Sequence, residues 1–319
     1  MGESIKTYKG FNKYMTCRGF QYEEGKEYEE ESVEVCDHGF HACEYPLDCL
    51  GYYSPSESVY HEVEQSGEIQ KHSEDTKVAS TKIKIGAEIS IAGLVKAAIE
   101  YTVKRVNKDA ESDEKYGASS ATGDYGASSA TGDYGASSAT GYKGASSATG
   151  YKGASSATGD YGASSATGYK GASSATGDYG ASSATGDYGA SSATGYKGAS
   201  SATGYKGASS ATGDKGASSA TGTCGASSAT GYKGASSAED KDAVAVAWGY
   251  KSKAKGVLGA FLVFADWEYT GSEDDTEYDR NNQSAWVLNG AKMVQVDGEI
   301  IKPDTWYTIE NGEIAEVSE

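Results

Sequence analysis

Residues 117–134 read Gly117-Ala-Ser-Ser-Ala-Thr-Gly-Asp-Tyr125 and again Gly126-Ala-Ser-Ser-Ala-Thr-Gly-Asp-Tyr134, and this nonapeptide decides the fold. Fourteen copies of Gly-Ala-Ser-Ser-Ala run from Gly117 to Ala238 at a spacing of nine residues, without an insertion. Glycine at positions one and seven recurs too often for a stable helix, and no apolar stripe at 3.6 spacing exists. A Gly/Ser/Ala tract also suits a flexible linker, but a linker tolerates length changes. An unslipped register favours a β-solenoid, with Ser-Ser-Ala-Thr in short strands and Gly-x-x-Gly at the corners.

The end of the array orients the strands. Continuing the frame past Gly234 gives two degenerate units, and in the second, Ser252-Lys-Ala-Lys-Gly256, the lysines fall on positions two and four. An unpaired ammonium does not fit a narrow core, so even positions face outward and odd positions inward. In a regular unit Gly117, Ser119 and Ala121 then line the interior, while Ala118, Ser120 and Thr122 face outward. Nine extended residues span only about 30 Å, so two units are expected per coil. That arrangement resembles the flat β-rolls of calcium-binding nonapeptide repeats, but their Gly-Gly-x-Gly-x-Asp turn is missing.

Corner residues come in two flavours. Asp precedes Tyr125, Tyr134, Tyr161, Tyr179 and Tyr188, whereas Lys follows Tyr142, Tyr151, Tyr169, Tyr196, Tyr205 and Tyr232. Stacked coils would align them into edges where rings stack and charges pair. These eleven tyrosines are candidates for a binding edge; solvated corners that pack Tyr on Tyr, and ice or crystal recognition by the Ala/Ser/Thr face, are the other readings. Cys224, in place of a corner lysine, is expected to be exposed.

Outside the array the chain differs in character. Of 319 residues 37% are hydrophobic and 43 are glycine, so a large apolar core must lie in the flanks. The net charge is −18; residues 117–238 hold six Asp and seven Lys, so the flanks carry −19. Acidic runs such as Glu27 to Glu31 and Glu273 to Glu277 read as solvated surface, and the balance argues against nucleic acid. No apolar run reaches membrane-spanning length and no secretory leader begins the chain, so a cytoplasmic location in a host cell, or association with a virion, is expected.

Residues 1–108 have the density of a compact α+β domain ending in an amphipathic helix, with Ile91, Leu94, Val95, Ala98, Ile99 and Val103 on one face. This helix is expected to cover the open edge of the solenoid or to join the N-terminal core. Four of the five cysteines, at 17, 36, 43 and 49, lie in this domain. Cys36, His38, His41 and Cys43 are the candidate metal ligands, but their spacing matches no zinc pattern, and neither metal nor cofactor is expected.

The strings Cys17-Arg-Gly-Phe-Gln-Tyr-Glu23, Gly39-Phe-His-Ala-Cys-Glu-Tyr-Pro-Leu-Asp48 and Ser80-Thr-Lys-Ile-Lys-Ile-Gly-Ala-Glu88 resemble an uncharacterised family of bacteriophages and their Firmicutes hosts. Its members join a similar N-terminal domain to a variable Gly/Ala/Ser-rich repeat and a short C-terminal β segment. The resemblance implies a phage or prophage origin and no established activity. The order Arg18-Gly19, Gly39-Phe-His-Ala42, Leu50-Gly-Tyr-Tyr53, Val59-Tyr-His-Glu-Val63 is also similar to ADP-ribosyltransferase-like domains, with Glu62, Glu64 and Glu88 competing for the acidic role.

After the array, Val257 to Trp267 reads as a buried strand and an acidic loop runs to Gln283. Ala285 to Val296, Glu299 to Ile301, Trp306 to Ile309 and Glu313 to Val317 read as strands, with hairpin signals at Asp297-Gly298 and Asn311-Gly312. This segment is expected to fold over the outward Val244, Val246 and Trp248 as a terminal cap. The sequence thus describes a mainly β chain: an α+β domain (1–108), a nonapeptide-repeat solenoid (109–256) and a C-terminal β cap (257–319). Its expected role is a structural or binding protein without turnover, working through a protein partner or self-association. The alternatives are an ADP-ribosyltransferase-like domain on a solenoid spacer, and a self-assembling filament or virion component.

Overall fold

The computed structural model describes residues 4–72, 76–104, 110–112, 116–272 and 285–317. The run Glu273 to Glu277, the loop to Gln283 and the expected domain boundary at 108 lie outside them.

The repeat forms one short strand per unit. From β9 (Ala118–Thr122) and β10 (Ala127–Thr131) the strands continue through β11 (Ala136–Thr140), β12 (Ala145–Thr149), β13 (Ala154–Thr158), β14 (Ala163–Thr167), β15 (Ala172–Thr176) and β16 (Ala181–Thr185). They go on through β17 (Ala190–Thr194), β18 (Ala199–Thr203), β19 (Ala208–Thr212), β20 (Ala217–Thr221), β21 (Ala226–Ala229) and β22 (Ala235–Ala238). Each strand pairs in parallel with the next strand but one, as in Ala127 with Ala145 and Ala136 with Ala154. One coil is therefore two units, and odd and even strands build two facing parallel sheets. Parallel pairing continues into β23 (Val244–Ala247), β24 (Lys253–Gly256) and β25 (Phe261–Tyr269), so the solenoid sheets extend to Phe264.

The interior is as small as the sequence implies. Ser164, Ser182 and Ser200, at position three, are buried, as are Ala166, Ala184 and Ala202 at position five, while the threonines of the regular strands are exposed. The position-three hydroxyls meet between the sheets in one zipper from Ser119 to Ser236: Ser155 to Ser146 at 2.9 Å, Ser155 to Ser164 at 3.0 Å, Ser173 to Ser164 at 2.9 Å, and so on. Each buried hydroxyl thus finds its partner nine residues away, in the opposite sheet. At the corner, Gly168 has φ +151°, and a Cβ there would overlap the Gly150 carbonyl oxygen one coil below. Glycine at position seven is what lets coils stack at strand spacing.

The N-terminal domain contains β1 (Ile5–Asn12), the β2–β3 hairpin (Thr16–Cys17, Phe20–Gln21), β4 (Glu27–Glu29), β5 (Phe40–Cys43), α1 (Asp48–Tyr52), β6 (Ser58–Lys71), β7 (Lys77–Glu88) and α2 (Ile91–Val103). Its antiparallel sheet has the order β4-β7-β5-β1-β6, and β6 also pairs with β7, so four strands close on themselves. Phe11, Phe40, Val63, Ile83 and Ile85 fill the inside.

Ser90 caps α2, its Oγ accepting from the Gly93 amide at 3.2 Å, and Leu94, Val95 and Ala98 are fully buried. The helix does join the N-terminal core, but it does not cover the open edge. It lies across the outer face of the even sheet, from β10 to β18, packing on Ala163, Ala181 and Ala199. A shelf of alanines lets a helix approach closely, and burying Leu94 and Val95 there contributes about 1.5–3 kcal/mol each. The outward alanines beneath it, Ala127, Ala145, Ala163, Ala181 and Ala199, are consequently buried, while Ala136, Ala154 and Ala172 of the odd sheet stay exposed.

At the C-terminal end the interior swells from Ser and Ala to Leu262 and Phe264, both fully buried. β26 (Trp286–Gln295) adds to β25, and β27 (Tyr307–Glu310) adds to β24 before turning through Asn311-Gly312 into β28 (Glu313–Glu316); all these pairings are antiparallel. The expected strand Glu299 to Ile301 is absent. The Asp297 carboxylate accepts from the amides of Glu299, Ile300 and Ile301, each at 2.9 Å, and curls the chain instead. The segment extends the sheet edges, and Val244, Val246 and Trp248 remain half-buried.

Candidate functional site

Corners connect the sheets alternately on two sides, so the eleven corner tyrosines divide between two edges. Tyr125, Tyr142, Tyr161, Tyr179, Tyr196 and Tyr232 lie on one; Tyr134, Tyr151, Tyr169, Tyr188 and Tyr205 lie on the other.

The first edge is the seam on which the N-terminal domain docks. The Lys143 ammonium meets the Asp48 carboxylate at 2.9 Å with both side chains almost fully buried, and it lies 4.7 Å from the centre of the Tyr45 ring. The Tyr45 hydroxyl donates to the Tyr161 carbonyl at 2.7 Å, Lys197 Nζ donates to the Gly51 carbonyl at 2.8 Å, and the Ser54 hydroxyl donates to the Lys215 carbonyl at 3.1 Å. Tyr161 and Tyr179 stack at 4.7 Å and pack into the interdomain core. Burial holds the Tyr161 hydroxyl well above the usual tyrosine range. Corner aspartates serve structure here, Asp178 Oδ1 accepting from the Tyr196 amide at 2.9 Å and Asp214 Oδ1 from Tyr232 at 3.1 Å.

The second edge is open among the described residues. Tyr116 stacks on Tyr134 at 4.9 Å and Tyr151 on Tyr169 at 5.3 Å, and Tyr188 meets Tyr169 edge-on at 5.2 Å. Lys152 lies over Tyr134 and Tyr151, and Lys170 over Tyr169 and Tyr188, at 5.4–5.8 Å. The five tyrosines of this edge, together with Tyr116, line up as a cation-decorated ladder at strand spacing, about 4.8 Å per rung; Tyr134, Tyr169 and Tyr188 each keep about 40% of their surface in water. Cys224 sits on the same side, exposed as expected.

A second concavity, a cleft of about 410 Å³, opens in the N-terminal domain beside the β2–β3 hairpin. It gathers Lys9, Cys17, Arg18, Glu30, Asp37, His38, His41 and Lys77 with the rings of Phe20, Tyr22, Tyr52 and Tyr53, and all four N-terminal cysteines line it. Strand alternation puts Lys9 on the same side of β1 as Phe11. Cys17 Sγ accepts from the Tyr53 hydroxyl at 2.8 Å and faces Lys9 Nζ at 3.7 Å.

Of the residues considered as metal ligands, His41 is held by a backbone contact, its Nε2 accepting from the Cys36 amide at 3.0 Å. Cys43 is buried on β5 and Cys36 is exposed, and although all four line the cleft, Cys36, His38, His41 and Cys43 do not bring their ligand atoms together among the described residues. Among the described residues, the grouping of three ligand atoms that does form is Glu34, Asp37 and His38, at the surface. Glu62, Glu64 and Glu88, the candidate acids of a transferase site, do not line the cleft; Glu62 instead pairs with Lys6 at 2.6 Å. Sequence reading missed the cleft because its residues span Tyr8 to Lys77 and converge only when the sheet closes.

Residues 5–97 match a family model described as a domain of unknown function (DUF7666), which ends within α2 and leaves the repeat outside. No curated protein and no solved structure matches the chain.

Proposed function

We propose that the protein is a phage-encoded, non-catalytic binding rod, acting inside the host cell or on the virion, whose open Tyr/Lys edge takes a protein partner. The observation that carries this reading is the contrast between the edges. On the docked edge, the chain's own N-terminal domain illustrates what such a corner ladder accepts: a carboxylate for the lysine, an aromatic hydroxyl for a corner carbonyl and an apolar surface for the rings. The open edge repeats the same Tyr and Lys chemistry with no domain over it among the described residues. Rigid tyrosines lose little entropy on binding and carry both apolar area and a hydrogen-bonding tip.

The partner surface that fits is an elongated one presenting acids and aromatics to successive rungs. The antiparallel strands that close the C-terminal end disfavour a filament built by stacking rods there, because they break the parallel register a further coil needs.

The full chain and a Tyr151→Ser/Tyr169→Ser/Tyr188→Ser variant, used as baits in infected-cell lysate, test the reading. It expects proteins held by the wild-type chain to be lost from the variant while the melting curve is unchanged. An identical set of retained proteins would refute it.

A further inference from the structure

We propose that the N-terminal cleft binds a small ligand with an anionic head, a carboxylate or phosphate, on a flat apolar body, the head held by Lys9 and Arg18. This site is separate from the open edge and stands or falls independently of it.

Two buried lysines in this molecule have opposite surroundings. Lys143 has the Asp48 carboxylate at 2.9 Å. Lys9 is just as buried, at 5% exposure, yet among the described residues no carboxylate lies within ion-pair distance. Its ammonium donates to the His41 carbonyl at 2.7 Å, faces the Cys17 sulfur at 3.7 Å and lies 5.4 Å and 5.7 Å from the Phe11 and Tyr22 ring centres. Those contacts use two of its three N–H donors. A buried ammonium without a counter-ion is costly, and one that lines a cleft can acquire its counter-ion from solution.

Arg18 reinforces the case. It stands exposed at the hairpin tip with φ +50°, and among the described residues its guanidinium hydrogen-bonds only to the Asp37 carbonyl, at 3.4 Å, leaving its fork available for a bidentate anion. The two acids that line the cleft already have partners within it: Glu30 accepts from the Gly39 amide at 3.0 Å, and Asp37 contacts His38 at 3.3 Å. Burial first, then the charge of Lys9 and, more weakly, those of Arg18 and Lys77, pushes His41 down from its ordinary value, and the lining sets these three cations against two acids in a chain of net charge −18.

The walls define the rest of the ligand. Phe20 and Tyr52 stand on the lip with about half of their surface in water, 48% and 51%, and Tyr22 and Tyr53 line the cleft with them. Exposed rings flanking a cation pocket suit a planar body inserted behind an anionic head.

Calorimetric titration of the full chain with phenyl phosphate, benzoate, inorganic phosphate and phenol tests the site, and the first two arms separate phosphate from carboxylate. At least one aryl anion should bind about tenfold or more tighter than both inorganic phosphate and phenol. Arg18→Gln, on an exposed residue, should weaken that binding about tenfold, and Lys9→Met should abolish it without lowering the melting temperature. If Lys9→Met fails to fold, Arg18→Gln decides. Absence of saturation by either aryl anion at millimolar concentration, or wild-type affinity in Arg18→Gln, would overturn the proposal.

Discussion

A single hydroxyl shows how closely the interior is specified. Ser164 Oγ is bonded to Ser155 on one side and Ser173 on the other, and the residue is fully buried. Ser164→Ala leaves two neighbours short of a partner and should cost about 1–3 kcal/mol. Ser164→Val cannot fit between sheets lined by Gly, Ser and Ala and should cost at least as much again, ~1–3 kcal/mol or more of overpacking; chemical denaturation of the two variants ranks them. His41 provides a second residue-scale check. Its proton affinity is lowered by burial first and by Lys9 next, so below the unfolded value of about 6.5 the unfolded chain binds a proton that the folded chain resists. Stability is therefore complete above that pH and falls as the pH drops below it, and His41→Gln should flatten the denaturation midpoint between about pH 7 and 5. Much at this scale was legible. Lys253 and Lys255 marked the outward positions, and both do face outward, over the Trp306 ring at 5.0 Å and 5.4 Å.

At the scale of elements, the repeat is symmetric and its surroundings are not. Ala172 and Ala181 occupy the same position of identical units, yet Ala172 is exposed on the odd sheet and Ala181 is fully buried beneath α2. Ala181→Lys should push the helix off its shelf and lower stability by about 3 kcal/mol, whereas Ala172→Lys should change it by less than ~0.5 kcal/mol; thermal melts of the pair measure the difference. The helix itself could be read from its apolar spacing and from Ser90. Its resting place could not, because units with the same Ala-Ser-Ser-Ala-Thr sequence carry no mark of which sheet a neighbour will cover. Asp297-Gly298 misled for a local reason: the carboxylate capped three amides in succession, so a hairpin signal became a curl.

For the molecule as a whole, alternating corners turn one repeated sequence into two different edges, one consumed by the N-terminal domain and one left open. The two-unit coil was foreseeable from the length of nine extended residues. Which of the two tyrosine edges is covered was not, since it depends on where the Asp48 and Tyr45 surface lands. The cleft of the N-terminal domain was equally hidden, because Lys9 and His41 lie far apart in sequence and meet only through the pairing of β1 with β5.

Everything at the larger scale follows from eighteen residues per coil, and a disulfide measures that number directly. In a Cys224→Ser background, Ala208→Cys/Ala226→Cys places two outward thiols on adjacent parallel strands, in register and eighteen residues apart. Strand neighbours about 4.8 Å apart are within disulfide reach, whereas the outer faces of the two sheets are not. Mild oxidation should close the 208–226 bridge within one chain and leave Ala208→Cys/Ala217→Cys, nine residues apart on opposite sheets, unbridged. Equal or faster closure of the nine-residue pair would contradict the two-sheet coil.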